Sequence, residues 1–405
     1  CKTLKEGTGL PKLFNDEEII PLLLAKGQGT TLEDARDWCP NGCTEPRLIN
    51  KNTYFTGTTW FNIASVLEMT LYNGKIRGQD KRLGLATGDA RKFRSFEELW
   101  DAFAKQLDNV IDHNFIQQYL TDVIRPEKVA APLLSALHDV SMENGKDVSE
   151  GKLEGGINLG PQTSVTGFGT VIDSLAAIRT LVYENKEYTM DEILDAIESD
   201  FENNEILRQK CLNAPKYGNN IPEVDSIGAK IEDIILEKFD RHINAYGGRP
   251  ELLYVPITSH IPFGAALGAT PNGRKSGEAL SEGISPTQGA DVYGPTVTLT
   301  SIDRTKQTRH TQRAARLLNV KISPKVVAGE DGTQKLASFI RTWCDQKHWH
   351  IQFNMINRDT LIKAQKDPEK YRNLLVRVAG YSAYFVDLSL ALQNEIINRT
   401  EHENV

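Results

Sequence analysis

The stretch Arg377-Val378-Ala379-Gly380-Tyr381-Ser382-Ala383-Tyr384-Phe385 decides how the chain is read. Around it, Val376, Val378, Tyr384, Phe385 and Val386 suit a pleated, buried surface, so the segment reads as strand. Gly380 interrupts it. A glycine inside a strand lacks a side chain to pack and marks a bulge, a bend or a close backbone approach.

A second segment, Asn41-Gly42-Cys43-Thr44-Glu45-Pro46, stands 337 positions before Gly380, counted from Cys43. An isolated cysteine is usually an inert buried hydrophobe. Taken together, the two segments resemble the glycyl radical enzymes, the pyruvate formate-lyase superfamily. The nine-residue run matches their radical loop, and a helix-like tail from Leu390 to Thr400 follows it, as in that family. The resemblance implies an α/β fold, here the second half of a ten-stranded barrel with a C-terminal glycyl radical loop and surrounding helices. It divides the chain into residues 1–355, carrying the thiyl cysteine, and residues 356–405, carrying the radical. Because the chain starts at Cys1 and is about half the family's length, it is expected to be the C-terminal half.

The resemblance assigns Gly380 as the resting radical and Cys43 as the thiyl radical that attacks substrate. It implies no bound cofactor and no metal. The radical on Gly380 is installed after synthesis by a radical SAM activase. Glu45 follows Cys43 by two positions, so an extended loop would turn both side chains the same way. A hydroxyl beside a substrate carbon radical is a much stronger acid than the parent alcohol. A carboxylate that takes its proton leaves a ketyl, which expels a neighbouring group. Cys-x-Glu resembles the eliminase branch. Residue 42 is glycine, where the acyl-transferring members carry a second cysteine. Within that branch, Arg47 directly after the Cys-Thr-Glu-Pro run, and the run Arg47 to Tyr54, point to the C–S lyases that release sulfite from isethionate. Glycerol and 1,2-propanediol dehydratases are the C–O-cleaving alternative. Arylalkylsuccinate synthases and a non-catalytic spare-part subunit remain as readings of another type. The spare part would need no Gly42-Cys43. Arg47 and Arg249 are candidates for a bidentate clamp on an anionic substrate group, and Asn158, Gln162 and Thr163 for polar support.

Other signals exclude functions. The chain has 405 residues and a net charge of -7, which disfavours nucleic acid and anionic membrane as partners. No run of about 20 apolar residues exists to span a bilayer, and residues 1–30 lack the basic start and apolar core of a signal peptide. Five scattered cysteines, at 1, 39, 43, 211 and 344, form no disulfide framework. A cytoplasmic site follows, a bacterial microcompartment included, and the family suggests a homodimer acting on a small molecule. Gly268 to Gly273 has Walker spacing, but Arg274 stands where the lysine belongs, so a phosphate loop is rejected. His348 and His350 share one face of a strand without a third ligand, which favours core histidines.

The periodicity predicts helices over 12–26, 31–38, 60–73, 95–120, 126–141, 171–185, 189–212 and 227–246. It predicts strands over 252–261, 296–302 and 350–356.

Overall fold

The computed structural model describes residues 1–53 and 58–403; Tyr54, the last residue of the Arg47 run, lies outside them. In chain order the strands are β1 (Leu13–Phe14), β2 (Trp38–Asn41), β3 (Glu45–Leu48), β4 (Thr58–Asn62), β5 (Gln162–Thr166) and β6 (Glu251–Tyr254). They continue with β7 (Arg313–Arg316), β8 (Asn319–Ile322), β9 (His350–Asn354), β10 (Leu375–Arg377), β11 (Ser382–Tyr384) and β12 (Glu401–His402).

One sheet runs β4-β5-β6-β7, with every neighbour parallel. A second runs β1-β9-β8-β12, in which β9, β8 and β12 are parallel and β1 is antiparallel to β9. Residues 313–322 join the two. Their first half pairs with β6 and their second with β9. At the corner the Leu317 N–H donates to the Tyr254 carbonyl (3.3 Å), and the Gln352 N–H donates to the Leu318 carbonyl (3.0 Å). Counted through that bent segment, β4, β5, β6, β7/β8 and β9 form five consecutive staves. This is the half of an α/β barrel that the sequence implied.

Parallel neighbours need long crossovers. Here helices Ile63–Leu71, Phe96–Lys128, Phe168–Ile178, Pro222–Arg241, Pro295–Thr305 and Gly329–Asp345 supply them. Their apolar faces, including Leu99, Phe103, Phe168, Ile172, Ile231, Phe239 and Leu299, make one core with Val165, Leu252 and Tyr254 of the sheet. A second core lies on the other side of the staves. It gathers Leu253, Ala315, Trp349, Val376, Val378, Phe385 and Ile396 around the two hairpins of interest.

Local chemistry explains most helix starts. Asn15 accepts from the Glu17 N–H, and Thr31 and Thr189 close capping boxes with Asp34 and Glu192. Ser95 caps the 33-residue helix, although Glu98 reaches back to the Arg94 N–H rather than to Ser95. That helix runs on to Lys128, past the predicted end at 120.

The segment 296–302 departs from expectation. Its alternating threonines predict a strand, but it lies in helix Pro295–Thr305. Pro295 sits at the first helical position, where its missing N–H costs nothing. Thr298, Leu299, Ile302 and Thr305 then fall on one buried face at helical spacing, and that burial overrides β propensity.

Candidate active site

Cys43 sits in the three-residue turn of the β2–β3 hairpin, whose register pairs Asn41 with Glu45 and Cys39 with Arg47. The turn is possible because Gly42 takes φ +63°. An extended loop would have aligned the two side chains; instead Cys43 is at a hairpin tip, and Glu45 is the first residue of the returning strand. The Glu45 carboxylate curls back and accepts from the Thr44 N–H (2.7 Å). It is buried and close enough to Cys43 to act on it electrostatically. Cys39 lies on the strand opposite Arg47, and no group of three or more His, Cys, Asp or Glu side chains among the described residues is placed to hold a metal ion.

Gly380 occupies the turn between β10 and β11, which is closed by the Val378 N–H donating to the Tyr381 carbonyl (2.9 Å). Its φ is +88°, a conformation L side chains rarely adopt. A Cβ built there would lie 2.2 Å from Cys43 Cβ and 2.6 Å from Cys43 Sγ. With a C–C bond of about 1.5 Å, this bounds the Gly380 Cα to Cys43 Sγ separation at about 4 Å. The Gly380 hydrogen in the side-chain position thus faces the sulfur. Two residues 337 positions apart are in contact, as the sequence reading required.

Burial, and then the neighbouring Glu45 carboxylate, push the Cys43 thiol up to about 11; Lys12 and Arg377 oppose this. At neutral pH the sulfur carries its hydrogen, the state from which hydrogen-atom transfer starts.

Both tips are anchored to one region of the chain. The Trp349 indole N–H donates to the Thr44 carbonyl (3.0 Å), and the Lys12 ammonium donates to the Cys43 carbonyl (2.6 Å). Asn354 exchanges two hydrogen bonds with the Arg377 backbone (2.8 and 2.9 Å). Gln352 accepts from the Gly380 N–H (3.1 Å). The sequence reading named none of Lys12, Trp349, Gln352 and Asn354 for this role. The available signal was Gln352 and Asn354 themselves, amides at alternate positions of a strand buried throughout, where polar groups must find partners.

Arg47 is mostly buried on β3. Its guanidinium contacts the Pro46 carbonyl (3.1 Å) and lies 3.9 Å from the buried Glu251 carboxylate. Glu251 is already paired with Lys26 and accepts from Gln162 (3.0 Å), so Arg47 is not its sole counter-charge. Arg249 is exposed, and its guanidinium donates to the Asp240 carbonyl. Among the described residues no hydrogen bond or ion pair joins Arg249 to Cys43, Glu45 or Arg47. Asn158 accepts from the Gly160 N–H (2.8 Å), and Thr163 bonds Asn114 (3.1 Å).

Arg274 donates to Thr270 (3.2 Å) and to the carbonyls of Leu267 (3.3 Å), Gly268 and Glu278 (2.5 Å). The glycine-rich segment is thereby stapled to itself, with its cation spent on its own backbone. His348 is lowered to about 3 by burial, and its Nε2 meets Gln346 (3.0 Å); His350 is fully buried and held neutral for the same reason.

Comparison with known proteins agrees with this geometry. A family model described as pyruvate formate lyase-like matches residues 1–264, and one described as glycine radical matches residues 280–386. The chain is 49% identical to isethionate sulfite-lyase of Oleidesulfovibrio alaskensis, over 100% of this chain and 48% of that protein. Among solved structures, hydroxyproline dehydratase of Clostridioides difficile with trans-4-hydroxy-L-proline bound matches with a TM-score of 0.92 and 37% identity, over 100% of this chain and 50% of that one. The glycerol-bound B12-independent glycerol dehydratase of Clostridium butyricum matches with a TM-score of 0.90 and 36% identity, over 98% and 50%. The chain spans about half the length of the relatives it matches. No helix among the described residues is long and apolar enough to cross a membrane.

Proposed function

Because the chain belongs to the pyruvate formate lyase-like family and carries its glycine radical segment, we propose that it is the C-terminal half of a glycyl radical lyase that cleaves the C–S bond of isethionate. The observation that carries this is the contact between the side-chain-facing hydrogen position of Gly380 and Cys43 Sγ. The likeness to isethionate sulfite-lyase supports the choice of substrate.

A partner radical SAM activase first removes one hydrogen atom from Gly380. The Gly380 radical then takes the hydrogen atom of the Cys43 thiol and becomes an ordinary glycine, leaving a thiyl radical on Cys43. The thiyl takes a hydrogen atom from the hydroxyl-bearing carbon of isethionate. Glu45 accepts the hydroxyl proton, and the resulting ketyl expels sulfite, which leaves with the electron pair of the C–S bond and takes the proton from Glu45 as hydrogensulfite. The remaining carbon radical recovers a hydrogen atom from Cys43, giving acetaldehyde and regenerating the thiyl, which retrieves its hydrogen from Gly380. No atom or electron is consumed beyond those of the substrate.

Arg47, with Glu251 already met by Lys26, is assigned to the sulfonate. Arg249, exposed beside the end of helix Pro222–Arg241, is the second candidate, and the KM of the two variants separates them. The reading keeps the division at residues 355 and 356, a cytoplasmic or microcompartment location, and a homodimer.

The test is anaerobic activation of the full-length protein, followed by incubation with isethionate and, separately, with glycerol and 1,2-propanediol. Sulfite and acetaldehyde from the first are expected. Their absence overturns the substrate, and turnover of the diols instead would install the C–O lyase reading.

A further inference from the structure

We propose that Gln352 is a positioning residue for the radical relay, holding the Gly380 peptide unit in the orientation from which its hydrogen meets Cys43. The inference rests on the radical reading given above and names a residue that reading does not use.

A radical glycine has no side chain by which the protein could hold it. Only the flanking peptide groups offer handles, and glycine is the residue whose backbone wanders most freely. At Gly380 the handle is its N–H, and the group that grips it is the Gln352 amide oxygen, at 3.1 Å. The same oxygen accepts from Arg377 Nε (3.0 Å) and Nη2 (2.7 Å). All three partners are donors, so the oxygen, and not the nitrogen, of the amide must point at the turn. The nitrogen end is fixed as well. It donates to Asn319 Oδ1, and Asn319 Nδ2 donates in turn to the Val378 carbonyl (3.2 Å).

The two amides therefore hold residues 377–380 from both sides, one through N–H groups and one through a carbonyl. Gln352 is fully buried in the middle of β9, so it cannot exchange these partners for water. Rotation of the Ala379–Gly380 peptide plane would swing the Gly380 hydrogen away from the sulfur, and the grip on the N–H opposes that rotation. An acceptor on the amide N–H also favours electron donation from the nitrogen into the adjacent radical carbon. Gln352 therefore bears on the spin distribution as well as on aim.

The experiment uses the full-length protein, activated anaerobically as wild type, Gln352→Leu and Gln352→Glu. Each is transferred to D2O while the glycyl EPR doublet is followed. Exchange of the Gly380 hydrogen through the Cys43 thiol collapses the doublet, so the collapse rate reads the relay step itself. In Gln352→Leu that rate, per spin, and kcat are expected to fall together by about tenfold, the equivalent of one lost hydrogen bond. The doublet splitting should shift too. Gln352→Glu keeps an acceptor oxygen at the same reach and should stay within about threefold of wild type. If Gln352→Leu does not fold, Asn319→Ala, which frees the far end of the Gln352 amide and releases the Val378 carbonyl, should slow collapse by about threefold. A wild-type collapse rate per spin in Gln352→Leu, or in Asn319→Ala where that variant stands in, overturns the inference and leaves the radical reading intact. A wild-type enzyme that shows no doublet overturns the radical reading, and this inference with it.

Discussion

Gly380→Ala tests the central contact without any radical being made. The added methyl would lie 2.2 Å from Cys43 Cβ and 2.6 Å from Sγ, distances that real Cβ atoms do not tolerate. It would also hold an L side chain at φ +88°. The conformational part costs about 1–2 kcal/mol, and forcing a methyl into a filled site costs about 1–3 kcal/mol. Together they destabilise the unactivated protein by about 2–5 kcal/mol. A denaturant titration gives the total, but a double-mutant cycle isolates the contact. Cys43→Gly removes the two nearest atoms and leaves Cys43 Cα at 2.8 Å. The φ strain is present in both backgrounds and cancels. Gly380→Ala should therefore be less harmful by about 1–3 kcal/mol in the Cys43→Gly background. A coupling indistinguishable from zero would mean that the two hairpins do not touch, and the relay would have no path.

Cys43→Ala should retain the glycyl doublet after activation while turnover falls to background, read by EPR and sulfite release on the same samples. With its thiol pushed up to about 11, roughly one Cys43 in a thousand is ionised at pH 8, so iodoacetamide should label it far more slowly than an exposed cysteine and catch up only near pH 11. The fold holds that proton more tightly than the unfolded chain does. Relative to Cys43→Ala, the wild type should keep its full stability below about pH 9 and lose part of it as the pH rises through about 11, in parallel chemical melts. Trp349→Phe preserves most of the packing but leaves the Thr44 carbonyl without its indole donor; a loss of about 1–3 kcal/mol is expected, together with slower doublet collapse in D2O. Arg47→Ala should raise the KM for isethionate at least about tenfold, the effect of one lost charge-assisted contact, with kcat changed less.

What could be read from residues alone was the chemistry that needs a particular atom. A glycine is irreplaceable where a backbone carbon must carry spin, and a thiol where hydrogen must be passed, so Gly380 and Cys43 stood out. Caps at Asn15, Ser95 and Thr189 were visible because their logic lies within four residues. The helix Pro295–Thr305 was hidden because its β-branched residues favour a strand, and only the surface it packs on decides otherwise. The bent segment 313–322 was missed for a related reason. It changes partners halfway, from β6 to β9, and no local pattern announces a change of neighbour. The hairpin at Cys43 was hidden although Gly42 marks the turn; the cross-strand pairing that closes it involves Trp38 to Asn41, and the helix pattern over 31–38 runs into its first residue. Gln352 was legible only as an amide alternating with Ile351 and Phe353, and its burial is what gives it a partner to find.

The anchoring of both tips beside β9 has a mechanical corollary. Trp349 and Gln352 are three residues apart, about 10 Å along an extended backbone, and that short span fixes where Thr44 and Gly380 stand relative to each other. The gap between sulfur and carbon is therefore gauged by a single stave, rather than accumulated over the 337 intervening positions. Insertions or drift in the crossover helices can reshape the outside of the molecule without detuning the gap, whereas one residue gained or lost between 349 and 352 would turn every later side chain of the stave to its opposite face.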